Sequence, residues 1–395
     1  MPFAASMSEH PDIRQATGEV IGDVLERLGD QPDLAVFFVT ADHAEMVADV
    51  ADTVRRLVRP RTLVGATAAS VVGGEREVEE APAIVLWAGQ LGGPAAPVRL
   101  EALSGPEGWA FVGLPPDANG PSPAEAETAE ESGGETGRRH MVLLVDPYSL
   151  PADALVELAA TEFPRLRVVG GLASGAIGPG GNRLVLDDTV YVDGAVGVVL
   201  PPTVGVTTVV SQGCRPIGEP MVVTRAERNI LFELAGKPAL ERLAELVQRL
   251  DPDDRALAQR GIHLGRVIDE TKERFGRGDF LIRNVIGGDR KLGAIAVGDE
   301  VGVGSTVQFQ VRDAGSADED LRLLLAGREA AGALVFTCNG RGSHLFDQAG
   351  HDAALVDAVT TGATAGMFCA GELGPVGDRS FLHGFTASVV LFTDR

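Results

Sequence analysis

Apolar residues recur along this chain in two rhythms, and the rhythm changes from segment to segment. Residues 12–28 place Ile13, Ala16, Val20, Ile21, Val24, Leu25 and Leu28 at helical spacing, with Gly18 and Gly22 as weak points. LAVFFVT at 34–40 is instead an unbroken apolar run, as expected of a strand covered on both faces. A second helix is predicted over 42–57, with Met46, Val47, Val50, Val54 and Leu57 on one stripe, Thr40 or Asp42 as N-cap, and Pro60 beyond its end. LVGATAAS (63–70) reads as a strand running into a small-residue loop, Gly73-Gly74 as a turn, and APAIVLWAG (81–89) as another strand.

The same order then returns. MVLLVDP (141–147) predicts a buried strand, 152–162 a short helix, LRVVGGLASG (166–175) a strand into a small-residue loop, and GAVGVVLP (194–201) a further strand. Val39 precedes Gly65 by 26 residues, and Val145 precedes Gly170 by 25. A looser third copy comprises VFTC (335–338), a helix around Ala353 to Val359, MFCAGE (367–372) and ASVVLF (387–392). A repeated strand–helix–strand–loop–strand unit predicts an α/β protein of mixed β-sheets with outer helices.

Between the second and third copies the rhythm is different. Residues 203–234 alternate in β fashion with turns at Gly213 and Gly218, and the period-two Ile230, Phe232 and Leu234 favour a hairpin over the capping box that Thr224 and Glu227 would also fit. Residues 238–250 predict a helix, with Pro238 in its first turn and Asp251-Pro252 as its stop. FLIRNVIG (280–287), KLGAIAV (291–297) and STVQFQVR (305–312) predict an antiparallel meander in the C-terminal half, followed by a helix over 316–330 capped by Ser316.

Composition changes this picture in three places. Residues 115–139 lack any large apolar side chain and predict a disordered insertion, because nothing there offsets the entropy of ordering. The net charge is −22, and the insertion holds only six acids against two arginines, so the folded body is acidic too. That argues against a nucleic-acid or anionic-membrane surface. Three cysteines without a CxxC, no apolar leader, and a longest uncharged apolar stretch (195–210) broken by Pro201-Pro202 predict a soluble, reducing, cytoplasmic protein of two domains.

Candidate chemistry concentrates between Ala333 and Phe392, where strands end in Gly-rich loops carrying Cys338, Asn339, Arg341, Cys369, Gly371, Glu372, His383 and Thr386. Cys369 and Cys338 read either as ligand contacts or reactive thiols, or as small core residues. Arg341 suits a carboxylate fork as well as a solvated N-G turn, and Glu372 suits a ligand amine as well as a structural cap. His383 and Thr386 either line a pocket or satisfy backbone at a strand start. The small-residue loops at Gly65-Ala66-Thr67 and Gly170-Gly171 allow close backbone approach and are expected to face the same cleft as Gly371. There is no phosphate loop, GxSxG elbow or SxxK, and Asp279, Asp289, Asp299 and Asp313 read as turn residues rather than a metal cluster. Neither metal nor cofactor is expected.

GKPAL (236–240), the turns at 279–289, GDEVGVGSTVQFQVRDA (298–314), LVFTCNGRG (334–342) and MFCAGELGP…FLHGFTASVVLF (367–392) resemble the FIST family; LAVFFVT, LVGAT and VVGGLASG resemble its N-terminal part more loosely. The resemblance implies a FIST N-terminal domain over 10–220 and a FIST C-terminal domain over 221–395. It implies a sensory role with a small ligand, for which amino acids are the class proposed for the family. Family members occur fused to bacterial signalling modules, and in eukaryotes to F-box proteins. No output domain is visible in this sequence, so a protein partner is implied to supply the output. Two other readings remain open: a cysteine-dependent hydrolase or transferase acting on a small amide or carbonyl, with Cys369 and His383 as nucleophile and base, and an acidic protein–protein adaptor.

Overall fold

The computed structural model describes residues 2–106, 108–115 and 138–393. The insertion expected at 115–139 therefore lies, for 116–137, outside the described residues; Arg139 already opens a strand. The chain divides into two compact units, one of 1–210, 322–382 and 386–395, the other of 211–321 and 383–385.

In the first unit the repeat is present three times, each copy with its strands in the spatial order third–first–second. The first two are parallel and the third is antiparallel to the first. These are Leu34–Thr40, Thr62–Ala68 and Ile84–Gly89; Arg139–Val145, Leu166–Leu172 and Ala195–Val199; and Gly332–Cys338, Thr364–Cys369 and Thr386–Thr393. The parallel pairs are joined by the helices Val47–Leu57, Ala152–Glu162 and His351–Asp357, as a parallel connection requires.

Residues alternate between two apolar layers. Leu34, Val36 and Phe38 join an inner core shared by all three copies, while Ala35, Phe37 and Val39 pack under the helices Ile13–Leu28 and Val47–Leu57. Each large side chain so buried contributes about 1.5–3 kcal/mol. Gly18 and Gly22 are tolerated because a Cβ at either position meets nothing, so they mark no packing constraint.

Between its second and third strands each copy carries a short hairpin, and that hairpin joins another copy's sheet. Val71–Gly73 of the first copy pairs with Thr364–Cys369 of the third. Leu184–Leu186 of the second pairs with Thr62–Ala68 of the first. Glu372–Val376 of the third pairs with Leu166–Leu172 of the second. The exchange is cyclic, and an added strand flanks each third strand: Phe3–Ser8, Ala96–Gly105 and Gly205–Gln212. Gly65, Gly170 and Gly366 hold equivalent places on the second strand of each copy, directly opposite Phe37, Leu143 and Val335 of the first. A Cβ there would stand 2.6 Å from the Phe37 ring, 1.9 Å from Leu143 O and 2.0 Å from Val335 O respectively.

The second unit is a ring of antiparallel strands. Met221–Glu227 pairs with Ile230–Leu234 as the expected hairpin, and Phe280–Asp289 with Ala294–Val297. Thr306–Arg312 does not extend that ladder as a meander would. It pairs with Ile262–Val267 on one side and Met221–Glu227 on the other, and so closes the ring around Val223, Leu231, Leu264, Ile295, Val307 and Phe309. The following helix is Ala314–Leu325, earlier than expected, because Asp313 rather than Ser316 supplies the cap: its Oδ1 accepts the Ser316 N–H at 3.2 Å. The first-copy helix is likewise split, with a 3-10 turn over Ala41–Met46 before Val47–Leu57, and neither Thr40 nor Asp42 caps it with a side chain. Asp289, Asp299 and Asp313 hold turn amides or arginines, in keeping with turn residues.

Candidate functional site

The three copies can be compared place by place through their registers. At the end of the first strand, or in the second copy just past it, stand Thr40, Asp146 and Cys338; at the corresponding place on the second strand stand Ala68, Ala173 and Cys369, the second copy's ladder being continued by the Ala173 N–H to Val145 O bond. At the first hairpin position stand Val71, Leu184 and Glu372, each fixed by its pairing with the host strand. At the start of the third strand stand Ala83, Gly194 and Thr386. In two of these four places the first two copies bury only apolar side chains, and the third buries a thiol and a carboxyl.

The strand end at the first position is satisfied in the earlier copies. Thr40 Oγ1 accepts the Ala83 N–H at 2.9 Å. Asp146 accepts from Asn182 at 3.0 Å and from the Ser149 hydroxyl at 2.6 Å. In the third copy the corresponding corner is larger and charged. Arg341, with no exposed surface, donates Nε and Nη2 to the two oxygens of Asp352 at 2.6 and 2.8 Å. Asp352 also accepts the Thr337 hydroxyl at 2.7 Å and lies 3.0 Å from His351 Nδ1. Phe346 stacks on the His351 ring at 3.5 Å and lies under the guanidinium. Burial opposes the charge on Asp352, but Arg341 and these hydrogen bonds outweigh it and hold the carboxyl well below its usual range.

Glu372 is fully buried, and its Oε2 accepts the Thr386 N–H at 3.1 Å and hydroxyl at 2.9 Å. Its Oε1, and Nη1 of Arg341, make no hydrogen bond of ordinary geometry. Burial pushes Glu372 up to about 8 against the Thr386 bonds, the Cys338 thiol and Arg341, so near neutrality it carries its proton. Cys369 is fully buried and burial pushes its thiol well up, with Glu372 and Cys338 adding to the effect. That is the opposite of what a nucleophile needs. Cys338 is partly exposed and its Sγ accepts the Gly340 N–H at 3.4 Å. Asn339 is exposed, and its backbone N–H donates to Cys369 O at 2.9 Å.

The exchanged strands complete the corner. Gly371 O accepts the Leu172 N–H at 2.9 Å, and Gly171 lies against Cys369 Sγ. From the first copy's hairpin, Glu77 accepts the Ala353 N–H at 3.0 Å and Glu79 accepts the Ser343 N–H and hydroxyl. Burial, then the Asp352 charge, raise Glu77 to about 7.

Cys338, Arg341, Cys369, Gly371, Glu372 and Thr386 thus come together, with Asn339 at the surface beside them. His383 is buried and belongs to the second unit, as do Gly384 and Phe385. Asp352, Thr337 and Glu77 were not among the residues singled out in the sequence. An acid at a helix start reads as solvated, and only the fold shows it buried against Arg341. Clefts of about 340, 510 and 500 Å³ are lined by other residues, among them Arg14 and Asp49, Arg138 and Arg328, and Asp33 and Arg61. Among the described residues no helix is long and apolar enough to cross a membrane.

A cyclic three-copy α/β unit and a strand-ring unit, with the third copy's polar corner, define the class. Residues 33–237 match the FIST N domain and 239–375 the FIST C domain, so the chain belongs to the FIST family. It is 43% identical over 403 residues to the uncharacterized protein Mb0898c of Mycobacterium bovis, covering all of this chain and 99% of that one. It is 41% identical over 402 residues to the uncharacterized protein Rv0628c of Mycobacterium tuberculosis, covering the whole of both. FIST domains are associated with sensory and signal-transduction roles.

Proposed function

We propose that this chain is a cytoplasmic small-molecule sensor, that its ligand binds at the third copy's corner against Arg341 Nη1 and Glu372 Oε1, and that a protein partner carries the signal onward. One observation carries this reading. Where the other copies bury Ala68 and Val71, or Ala173 and Leu184, the third buries Cys369 and Glu372. Packing at those places needs only an apolar side chain. A buried carboxyl of which one oxygen has no partner stronger than the Cys338 thiol costs about 1–3 kcal/mol, a cost that functional sites retain and structural ones rarely do.

The chemistry of the corner selects the ligand class. Asp352 already neutralises Arg341, and Glu372 is protonated near neutrality. Both therefore offer hydrogen-bond donors, and a ligand oxygen that accepts from both relieves both. A small carboxylate, or the carboxylate end of an amino acid, has that geometry. Entry needs the Asn339-to-Cys369 backbone bond to open, since Asn339 and Ala370 are the exposed residues at these strand ends. The raised Cys369 thiol counts against the hydrolase reading.

Native mass spectrometry of the freshly purified chain, followed by a thermal-shift panel of amino acids and small carboxylates, tests this. Saturating ligand should stabilise the fold by about 2–4 kcal/mol, and Glu372→Leu should abolish the shift. An empty protein that no member of the panel stabilises would sink the proposal.

A further inference from the structure

Cys338 and Cys369 end neighbouring parallel strands and are direct partners in their register. Adjacent strands lie about 4.8 Å apart and partnered residues point to the same face, which brings the two Cα atoms within disulfide range. Leu334 and Phe336 on one strand, and Ala365 and Met367 on the other, face the inner core at the same parity, so both sulfurs leave their sheet on that side. Cys369 is buried, and Cys338 is partly exposed at the strand end. The first copy has Thr40 and Ala68 in these places and the second Asp146 and Ala173, so the thiol pair belongs to the third copy alone.

We infer that Cys338 and Cys369 are an oxidation site, forming a reversible intrachain disulfide when they meet hydrogen peroxide. The Cys338 thiolate attacks one peroxide oxygen; the O–O bond breaks, hydroxide leaves and takes up a proton, and Cys338 becomes a sulfenic acid. The Cys369 sulfur then attacks the Cys338 sulfur. An S–S bond forms, the S–O bond breaks, and the departing oxygen leaves as water with the Cys369 proton. Two thiols are oxidised and one peroxide becomes two waters. The bond would pin the strand ends from which the Asn339–Arg341 turn springs, and so bears on the entrance proposed above. It needs no ligand to form, and this inference goes beyond the ligand-binding reading without depending on it.

The test uses the ligand-free full chain, exposed to excess hydrogen peroxide, then denatured in N-ethylmaleimide and weighed intact, with peptide mapping. Reduced protein should take three labels, one per cysteine. Oxidised protein should take one, on Cys214, and yield a linked Cys338–Cys369 peptide that dithiothreitol releases. Cys214→Ser should leave that link unchanged. Cys369→Ala, which restores the residue of the other copies, should stall at a Cys338 sulfenic acid that dimedone traps. Retention of three labels, irreversible sulfinic acid at Cys338 in the wild-type chain, or Cys338-linked dimers without the intrachain peptide would each overturn the inference.

Discussion

Thr40, Ala68, Val71 and Ala83 of the first copy occupy the places of Cys338, Cys369, Glu372 and Thr386 in the third. Around them the two copies match strand for strand, and both receive a hairpin from another copy. The shared frame shows what packing needs at these places: three small or aliphatic residues and one hydroxyl that closes the strand end. What the third copy adds is a thiol pair, a neutral carboxyl and a buried Arg341–Asp352 pair. None of these is required to hold the frame. The internal comparison separates the residues that build the repeat from those that specialise one copy.

The frame itself should be the most sensitive to change. Gly170→Ala and Gly366→Ala each drive a Cβ into a neighbouring carbonyl oxygen, at 1.9 and 2.0 Å. Both should cost about 3 kcal/mol or more in urea unfolding, alike in the two copies. Gly18→Ala, on an exposed and open helix face, should instead gain up to about 1 kcal/mol. A cheap Gly366→Ala would mean that the third copy does not share the frame.

Next in size is Asp352→Ala. It strands the buried Arg341 charge and should cost about 3–5 kcal/mol by the same measurement. A loss under about 1 kcal/mol would show that the corner is wetter than its burial implies.

Glu372→Leu borrows the side chain of Leu184 but leaves the buried Thr386 N–H and hydroxyl without their acceptor, so it should cost about 1–3 kcal/mol at pH 5, and less as pH rises toward 8. The effect depends on pH with a definite sign. Glu372 is raised from 4.5 to about 8 in the folded state, so folding takes up a proton between those values. Its contribution is therefore full below about pH 4.5 and is lost as pH rises through about 8. Glu77, raised to about 7, adds a slope of the same sign. Asp352 acts in the opposite sense: its contribution is present at neutral pH and lost in acid. Melting temperature followed from pH 5 to 9 should fall for the wild-type chain and fall less steeply for Glu372→Leu; parallel curves would contradict the raised carboxyl.

Smallest is Thr386→Ala, expected to cost about 1 kcal/mol in the wild-type chain and almost nothing beside Glu372→Leu. Equal losses in both backgrounds would show that the hydroxyl serves the strand rather than the carboxyl.

Much of this was legible in the sequence because strands covered on both faces leave unbroken apolar runs, and three such runs at matching spacing betray a repeat. The exchange of hairpins was not legible. Alternation marks Val71–Gly73 or Glu372–Val376 as a strand, but not which sheet it joins. The ring in the second unit escaped for the same reason, since Thr306–Arg312 pairs with Ile262–Val267, far from it in sequence. The strand Phe3–Ser8 is FAASMS, too small and polar to show the β pattern. At the site, Cys338, Arg341, Cys369 and Glu372 stood out as polar residues closing apolar runs. Asp352 did not, because its burial comes from the tertiary fold.

The most direct test of the central claim is ligand-induced thermal shift in the wild-type chain and in a variant that combines Cys369→Ala, Glu372→Leu and Thr386→Ala. The account predicts a wild-type melting temperature raised by an amino acid or small carboxylate, and a symmetrised variant that stays folded and is unmoved by it. A variant that keeps the full shift would place the ligand elsewhere, and a variant that unfolds would mean the corner is structural after all.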